Sequence, residues 1–401
     1  MIVDIATIFA HTPLCALWDI LAAHDVEARL VGGCVRDAIL GIPPADIDLA
    51  TPLPPTAVAE KLQGKVKLVP TGVEFGTWTL LLAGTEFQLT SLRHDIETDG
   101  RHAKVIYGQS WPEDAKRRDF TINALYANRH GEITDYVGGL EDLQQGVVRF
   151  IGDADQRIRE DYLRMLRFIR FSMRFGRRPP HNSTIEAIQR HAPQLALLSG
   201  ERIAAEMQKI LAHPRVLEAV ALMQHTHLWA ELLPRSSTQY LPTLLTMEQL
   251  CAHPAHWLLR LAALLSDGFS AEFLGKAWHL SRQQQQQLLL LLTHKNLCWQ
   301  ALADAHGAPM AMDIMMLQAA RGQISPMSLQ QAMLALKAWQ PAIFPLNGHD
   351  AMALGLQGQM VGNALKAVRA WWVEHNFQPN YQSCLEKLRE YCMDKQILTT
   401  K

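Results

Sequence analysis

The stretch RLVGGCVRDAILGIPPADIDLAT, residues 29–51, decides how the rest of the chain is read. An apolar run, Leu30 and Val31, leads into Gly32 and Gly33, and Arg36 and Asp37 follow at once. Ala38, Ile39 and Leu40 make an apolar helical turn that stops at the break Gly41-Ile42-Pro43-Pro44. Asp46-Ile47-Asp48 closes the segment. This pattern predicts a strand, a glycine turn, a short helix and a second strand carrying two carboxylates. Residues i and i+2 of a strand face the same side, so Asp46 and Asp48 project together. Carboxylates this close repel unless a cation lies between them, and hard oxygen ligands suit Mg²⁺. Gly32 and Gly33 leave bare backbone N–H groups ahead of a helix start, where a phosphate can approach. Arg36 is placed to add a fork of donors to it. A glycine pair is by itself a turn, and an isolated Asp-x-Asp is solvated surface. Joined in one short unit, they predict a metal–nucleoside triphosphate site.

Composition narrows the class. A chain of 401 residues can bury large cores in several domains, and 48% hydrophobic with 19% charged residues describes a folded protein. The net charge of −1 excludes a globally basic polyanion binder, so any basic surface must be local. Six Cys without C-x-x-C spacing argue against zinc and against a disulfide framework, which predicts reduced thiols in the cytoplasm. No apolar run approaches membrane-spanning length, and the N-terminus lacks the basic-then-apolar pattern of a signal peptide, so no membrane partner is expected.

Leu14, Leu17, Trp18 and Leu21 predict an amphipathic helix before the opening strand. Beyond Thr51, residues 56–62 read as a short helix, and residues 65–70, 77–82 and 86–92 read as strands. Residues 93–104, RHDIETDGRHAK, are dense in charge and read as a surface loop offering Arg93, Asp95, Asp99 and Arg101. Arg117-Arg118-Asp119-Phe120-Thr121-Ile122-Asn123-Ala124 follows. Two guanidiniums can contact a triphosphate and an Asp can accept from ribose hydroxyls, although Arg and Asp neighbours also pair with each other at helix starts.

Residues 157–178 hold eight Arg along an apolar helical face of Leu163, Leu166, Phe168, Ile169 and Phe171. Asp161 and Arg164 are i, i+3 neighbours, which predicts carboxylate and guanidinium side by side on one helix face. Such a pair can read bases. C and A both present an amino donor beside a ring-nitrogen acceptor, whereas U and G present the reverse. An Asp accepting from the amino group and an Arg donating to the ring nitrogen therefore suit C and A. A plain salt bridge would have the same sequence. Past residue 212 the patterns are helical throughout, at residues 256–265, 286–292, 314–320 and 365–372. His225, His227, His253 and His256 lack the clustered His…His-Asp…Asp spacing of a metal phosphohydrolase and read as ordinary histidines. Gly355, Gly358 and Gly362 precede an apolar helix, either as caps or as N–H donors to RNA phosphates.

These words resemble, in order, motifs A to E of the class II tRNA nucleotidyltransferase and bacterial poly(A) polymerase superfamily. Residues 29–51 resemble motif A, residues 117–124 motif B, and Asp135-Tyr136-Val137-Gly138-Gly139-Leu140 motif C, a hinge whose glycines supply freedom. Glu160-Asp161-x-x-Arg164 with Arg167 resembles the base-reading motif D. Ser199-Gly200-Glu201-Arg202-Ile203 through Glu206 resembles motif E, which braces it.

The resemblance implies an α/β nucleotidyltransferase head, a mixed sheet flanked by helices, over residues 1–150. An all-α neck (151–212), body (213–300) and tRNA-binding tail (301–401) would follow. It implies Asp46 and Asp48 as catalytic metal ligands. Gly32, Gly33, Arg36, Arg118, Asp119, Asn123, Asp161, Arg164 and Arg167 would bind nucleotide, and Arg93, Asp95 and Arg101 would sit in a flexible loop. Mg²⁺, tRNA, CTP and ATP are the implied cofactor and partners, and addition of C, C and A to the tRNA 3′ end is the implied activity. A CC-only or A-only enzyme, a poly(A) polymerase, or a non-catalytic RNA-binding relative are the alternatives. Gly72-Val73-Glu74-Phe75-Gly76 stands where the poly(A) branch has a basic Gly-Arg-Arg-Phe element, which favours the tRNA enzyme. One departure is Gln88, at the family's usual third carboxylate; Glu86, two residues earlier on the same strand, is a substitute.

Overall fold

The structure is a computed structural model describing residues 4, 9–10, 12–72, 76–98, 103–108, 110–265, 270–293 and 298–395, with backbone alone at 94–98 and 103–106. It divides into two compact units, Met1–Ile210 with Arg215–Pro234, and Leu211–Pro214 with Arg235–Lys401.

The first unit begins with α1 (Leu14–Ala23), which buries Leu14, Leu17, Trp18 and Leu21, the predicted apolar face. Then come β1 (Arg29–Val31), α2 (Gly33–Ile39), β2 (Ile47–Thr51) and α3 (Pro55–Leu62). Three further strands follow, β3 (Lys67–Gly72), β4 (Thr77–Leu82) and β5 (Thr85–Ser91). With β8 (Leu125–Ala127) and β9 (Ile133–Asp135) they form one seven-stranded sheet in the order β3-β4-β5-β2-β1-β8-β9. The β2–β5 pair is parallel and every other neighbour antiparallel, so the sheet is mixed as expected. On β2, Ile47 and Leu49 are buried while Asp48 is half-buried, so one side of the strand packs into the core and the other carries the carboxylate. Val31, Ala50, Trp111, Ala115 and Tyr126 form a core between the sheet and α4 (Trp111–Lys116).

The charged segment after β5 corrects the loop reading. Residues 93–98 and 103–107 form the antiparallel hairpin β6 (Arg93–Thr98) and β7 (Ala103–Tyr107). Its charged residues hid the strands, because sequence patterning detects a sheet through apolar alternation.

After β9 the described elements are helical: α5 (Gly139–Gln145), α6 (Ala154–Glu160), α7 (Leu163–Phe175), α8 (Asn182–His191), α9 (Gly200–Leu211), α10 (Val216–His225) and α11 (Leu228–Leu232). The second unit is also helical. It contains α12 (Leu241–Leu250), α13 (Trp257–Leu264), α14 (Ala271–Ala277), α15 (Arg282–Thr293), α16 (Trp299–His306) and α17 (Ala308–Ala320). α18 (Pro326–Ala338), α19 (Gly348–Ala353), α20 (Gln359–Glu374) and α21 (Tyr381–Asp394) complete it. Leu346, Leu356, Val368, Trp372 and Leu388 make a core among its last helices. Gly358, φ +54°, is the N-cap residue of α20.

The glycine pair of motif C works differently from a free hinge. Gly138 caps α5 in the left-handed region, φ +80°. Gly139 is pressed against the turn at Thr121: a Cβ there would lie 2.0 Å from the Thr121 carbonyl oxygen. Glycine is needed for close approach, which fixes α5 against the motif B turn. Gly139→Ala should therefore cost about 1–3 kcal/mol by overpacking. Thermal unfolding checks this, and an unchanged Tm would show that the turn gives way freely.

Candidate active site

The glycine turn places the first residues. Gly32, φ +76°, lets β1 swing directly into α2, and a Cβ on it would lie 3.3 Å from Arg118 Nη1. The expectation that both glycines offer N–H groups needs correcting, since Gly32 N donates to Leu125 O at 3.0 Å. Arg36 is also corrected. Its guanidinium is buried, with Nε and Nη2 on Asp37 Oδ1 at 2.9 and 2.7 Å and Nη1 on Asn123 Oδ1 at 2.5 Å. Phe175 lies 4.2 Å beneath it. Arg36 ties motif A to motif B, and its donor fork is already engaged.

Asp46 is exposed at the entry to β2 and Asp48 is half-buried on it. Burial, then the charge of Asp46, pushes the Asp48 carboxyl up, with Arg118 opposing. The parallel register sets Asp48 directly against Gln88, flanked on its other side by Thr79. Asp46 lies in the bend just before β2, which corrects the expectation of a strand carrying both carboxylates. Glu86 and Gln88 are both exposed, on the face away from buried Phe87 and Leu89. Two hard oxygen donors of matching charge, one destabilised by the other, fit a divalent cation that also takes substrate oxygens. Among the described residues no three His, Cys, Asp or Glu side chains converge to hold a metal unaided.

Motif B is held by a residue outside the motifs. Asp114, almost wholly buried, accepts from Arg117 Nε at 2.7 Å, Arg118 Nη2 at 3.0 Å and Tyr126 Oη at 2.7 Å. Burial pushes its carboxyl up, but Arg118 and Arg117 outweigh that and hold it below the usual carboxylate range. The available signal was its spacing, three and four residues before the two arginines on one helix face. Asp119 accepts from Phe120 N, Asn123 Nδ2 and Arg167 Nε at 2.9, 3.1 and 2.7 Å. Arg167, expected at the nucleotide, thus sits on Asp119. Arg93 at the start of β6 lies close enough to Arg117 for the charges to repel. Asp95 pairs with Val105 through the backbone, and Arg101 and Asp99 lie outside the described residues.

Asp161 and Arg164 do not share a helix face. Asp161 sits in an extended break between α6 and α7, φ −158°, ψ 106°. Its Oδ1 accepts from Leu163 N at 3.1 Å and its Oδ2 from Arg202 Nη2 at 2.8 Å. Arg164 pairs with Glu160 at 2.6 Å. The two remain joined through the turn, with Arg164 N donating to Asp161 O at 3.0 Å. Motif E braces this region as expected: Arg202 holds Asp161, and Glu206 holds Arg170 of α7 at 2.6 Å.

The histidines are only partly as expected. His225 and His227 belong to the first unit, whereas His253 and His256 belong to the second, where both bond to buried Asp313 at 2.8 and 2.6 Å. They are therefore not isolated, but pin the loop before α13 to α17.

Three comparisons bear on this geometry. Residues 28–149 match the family model described as "Poly A polymerase head domain", and residues 180–239 match "Probable RNA and SrmB- binding site of polymerase A". The chain is 30% identical over 392 residues to mitochondrial CCA tRNA nucleotidyltransferase 1 of Mus musculus, covering 94% of this chain and 90% of the relative. It is 32% identical over 378 residues to the CCA-adding enzyme of Limosilactobacillus fermentum, covering 91% and 93%. The crystal structure of the Bacillus stearothermophilus CCA-adding enzyme in complex with CTP superposes with a TM-score of 0.76 at 27% identity, covering 96% of this chain and 98% of that one.

The His–Asp cluster predicts a pH dependence of stability. The Asp313 hydrogen bond raises the His256 imidazole above its ordinary 6.5, against burial. Burial pushes Asp313 up from 3.8, but the two imidazole hydrogen bonds hold it below that value. His256 therefore contributes fully below 6.5 and loses its contribution as pH rises through its raised folded value. Asp313 contributes above 3.8 and loses its contribution as pH falls through its lowered one. Raising the pH from about 6 to about 9 should lower the wild-type Tm more than that of His256→Gln. Parallel melting curves for the two proteins would contradict this.

Proposed function

The chain belongs to the CCA tRNA nucleotidyltransferase family, and on that premise we propose that it adds C, C and A to the 3′ end of tRNA without a nucleic-acid template. CTP and ATP are the donors and pyrophosphate is released. The tRNA 3′-hydroxyl oxygen attacks the α-phosphorus, an O–P bond forms, and the bond from the α-phosphorus to the bridging oxygen breaks. The carrying observation is Asp48 on β2, paired in register with Gln88 of β5, with Asp46 at the entry to the strand. A divalent metal serves transfer in this family. Here Mg²⁺ held by Asp46 and Asp48 would lower the pKa of the attacking hydroxyl and neutralise the leaving pyrophosphate.

Arg118, fixed by Asp114 beside Gly32, holds the triphosphate together with Gly33. Asp119, oriented by Asn123 and Arg167, receives the ribose hydroxyls. Arg36 organises this floor from beneath. Asp161, held by Arg202, and Arg164, held by Glu160, read the amino and ring-nitrogen edge shared by C and A. Arg93, Asp95 and Arg101 of the charged stretch at residues 93–104 serve the change from C to A. The head, neck, body and tail division at residues 150, 212 and 300, with tRNA along the tail, completes the reading. All six cysteines are free thiols, which accords with a cytoplasmic location.

Full-length relatives named for CCA addition weigh against the poly(A) alternative that the shared head leaves open. The direct test is incubation with tRNA lacking its 3′ end and one labelled nucleotide at a time. CTP alone should extend the tRNA by two residues, ATP only after them, and UTP or GTP not at all; long A tails would overturn the assignment.

Asp46→Ala and Asp48→Ala should each abolish incorporation, through loss of several kcal/mol of transition-state stabilisation, with tRNA affinity within a few-fold. Near-normal turnover in either would remove it from the mechanism. Because Gln88 lies in register with Asp48, Gln88→Glu should lower the Mg²⁺ concentration at half-maximal activity. If Glu86 already supplies the charge, Glu86→Gln raises it instead. Silence of both variants would exclude β5 from the metal site.

A further inference from the structure

Arg157, on α6, is buried and ties the motif B main chain to Glu160 of its own helix. Its Nη2 donates to the backbone carbonyls of Arg117 and Arg118, at 2.5 Å each. Its Nη1 pairs with Glu160, whose Oε2 also accepts from Arg164 Nη1 at 2.6 Å. Arg164 Nη1 in turn donates to the Arg157 carbonyl at 2.7 Å. One guanidinium therefore holds the main chain from which Arg117 and the triphosphate-binding Arg118 project. It also shares its carboxylate with the arginine placed at the base edge.

We propose that Arg157 is a positioning residue coupling base selection to the triphosphate grip. The inference rests on the reading above, that Arg164 and Arg118 contact the nucleotide. The Arg118 side chain is clamped by Asp114 and passes Gly32, so the position of its backbone sets where the guanidinium meets the phosphates. A base that draws Arg164 away leaves Glu160 Oε2 to Arg157, while Oε1 stays with the Gln156 amide. The carboxylate oxygen then faces the Arg157 guanidinium without a second cation, so the position of the Arg157 fork, and with it of the 117 and 118 carbonyls it holds, follows the state of Arg164. A base of the wrong edge leaves Arg164 on Glu160 and the clamp divided. Only a planar fork with several donors spans two carbonyls and a carboxylate; the single ammonium of lysine does not.

The test is kcat and KM for CTP, ATP and UTP on Arg157→Lys, Arg157→Ala, Arg164→Ala and the doubles Arg157→Ala/Arg164→Ala and Arg157→Lys/Arg164→Ala. Arg157→Lys, which keeps the charge, should lower the CTP-over-UTP ratio of kcat/KM about tenfold and raise KM for both correct nucleotides. Each double should show nearly the ratio of Arg164→Ala alone, because the two residues act as one path. An unchanged ratio in Arg157→Lys, or losses that multiply in the doubles, overturns the coupling. A purely structural Arg157 would lower Tm and slow all nucleotides equally, which also overturns it. If Arg157→Ala fails to fold, the lysine double carries the cycle. Arg164→Ala by itself tests the underlying reading: a retained ratio there defeats base reading and the coupling with it. Lost discrimination there with a wild-type ratio in Arg157→Lys defeats the coupling alone.

Discussion

The site depends on arginines of one helix meeting carboxylates from elsewhere in the unit. α7 carries Arg167 to Asp119 of motif B, Arg170 to Glu206 of α9 and Arg174 to Asp37 of α2. Its other side is apolar, with Met165, Leu166, Phe168 and Ile169 fully buried. The apolar side makes the helix pack; the ion pairs determine which rotation and register it packs in. Removing one partner of the buried Arg170–Glu206 pair leaves an uncompensated charge and costs about 3–5 kcal/mol, whereas the more exposed Arg167 and Arg174 contribute less. A misplaced α7 would break all three pairs at once, which ties the neck to the nucleotide floor.

The parts legible in the sequence were those settled within a dozen residues. The β1–α2–β2 unit announced itself through Gly32-Gly33, the Pro43-Pro44 break and the Asp46-x-Asp48 alternation. The motif B turn and the apolar face of α7 were equally local. What escaped notice needed long-range pairing or a change of backbone course. Nothing in the sequence around Asp161 is a helix breaker, so a continuous helix was the natural reading. The break follows instead from Asp161 turning back to cap Leu163 N and bond Arg202. The hairpin was hidden because β6 alternates charged residues rather than apolar ones, and β7 is only five residues long. Arg36 looked like a phosphate ligand because a sequence gives its distance from Gly33 but not the position of Asn123, which lies 87 residues away.

These corrections change how the site reads a base. With Asp161 and Arg164 side by side on a rigid helix face, the donor–acceptor pattern would be fixed by helix geometry alone. In the structure each is oriented by a separate partner, Arg202 for Asp161 and Glu160 for Arg164. On the proposed base-reading role, the base edge would compete with those ion pairs rather than enter an empty slot. Selectivity would then come from which edge can recruit both groups together, and each hydrogen bond to a charged group contributes roughly 1.5–3 kcal/mol. Discrimination by about two orders of magnitude is within reach of two such contacts.

The central claim is that Asp161 acts as an acceptor toward the amino group of C and A. Asp161→Asn keeps the size and most of the packing, but it gives the side chain a donor that can face a carbonyl edge. Measuring kcat/KM for CTP and UTP on this variant tests the claim most directly. The account predicts a CTP-over-UTP ratio lowered by about one to two orders of magnitude, with UTP incorporation rising in absolute terms. An unchanged ratio with uniformly lower activity and lower Tm would contradict it, leaving Asp161 as a brace for the α6–α7 break.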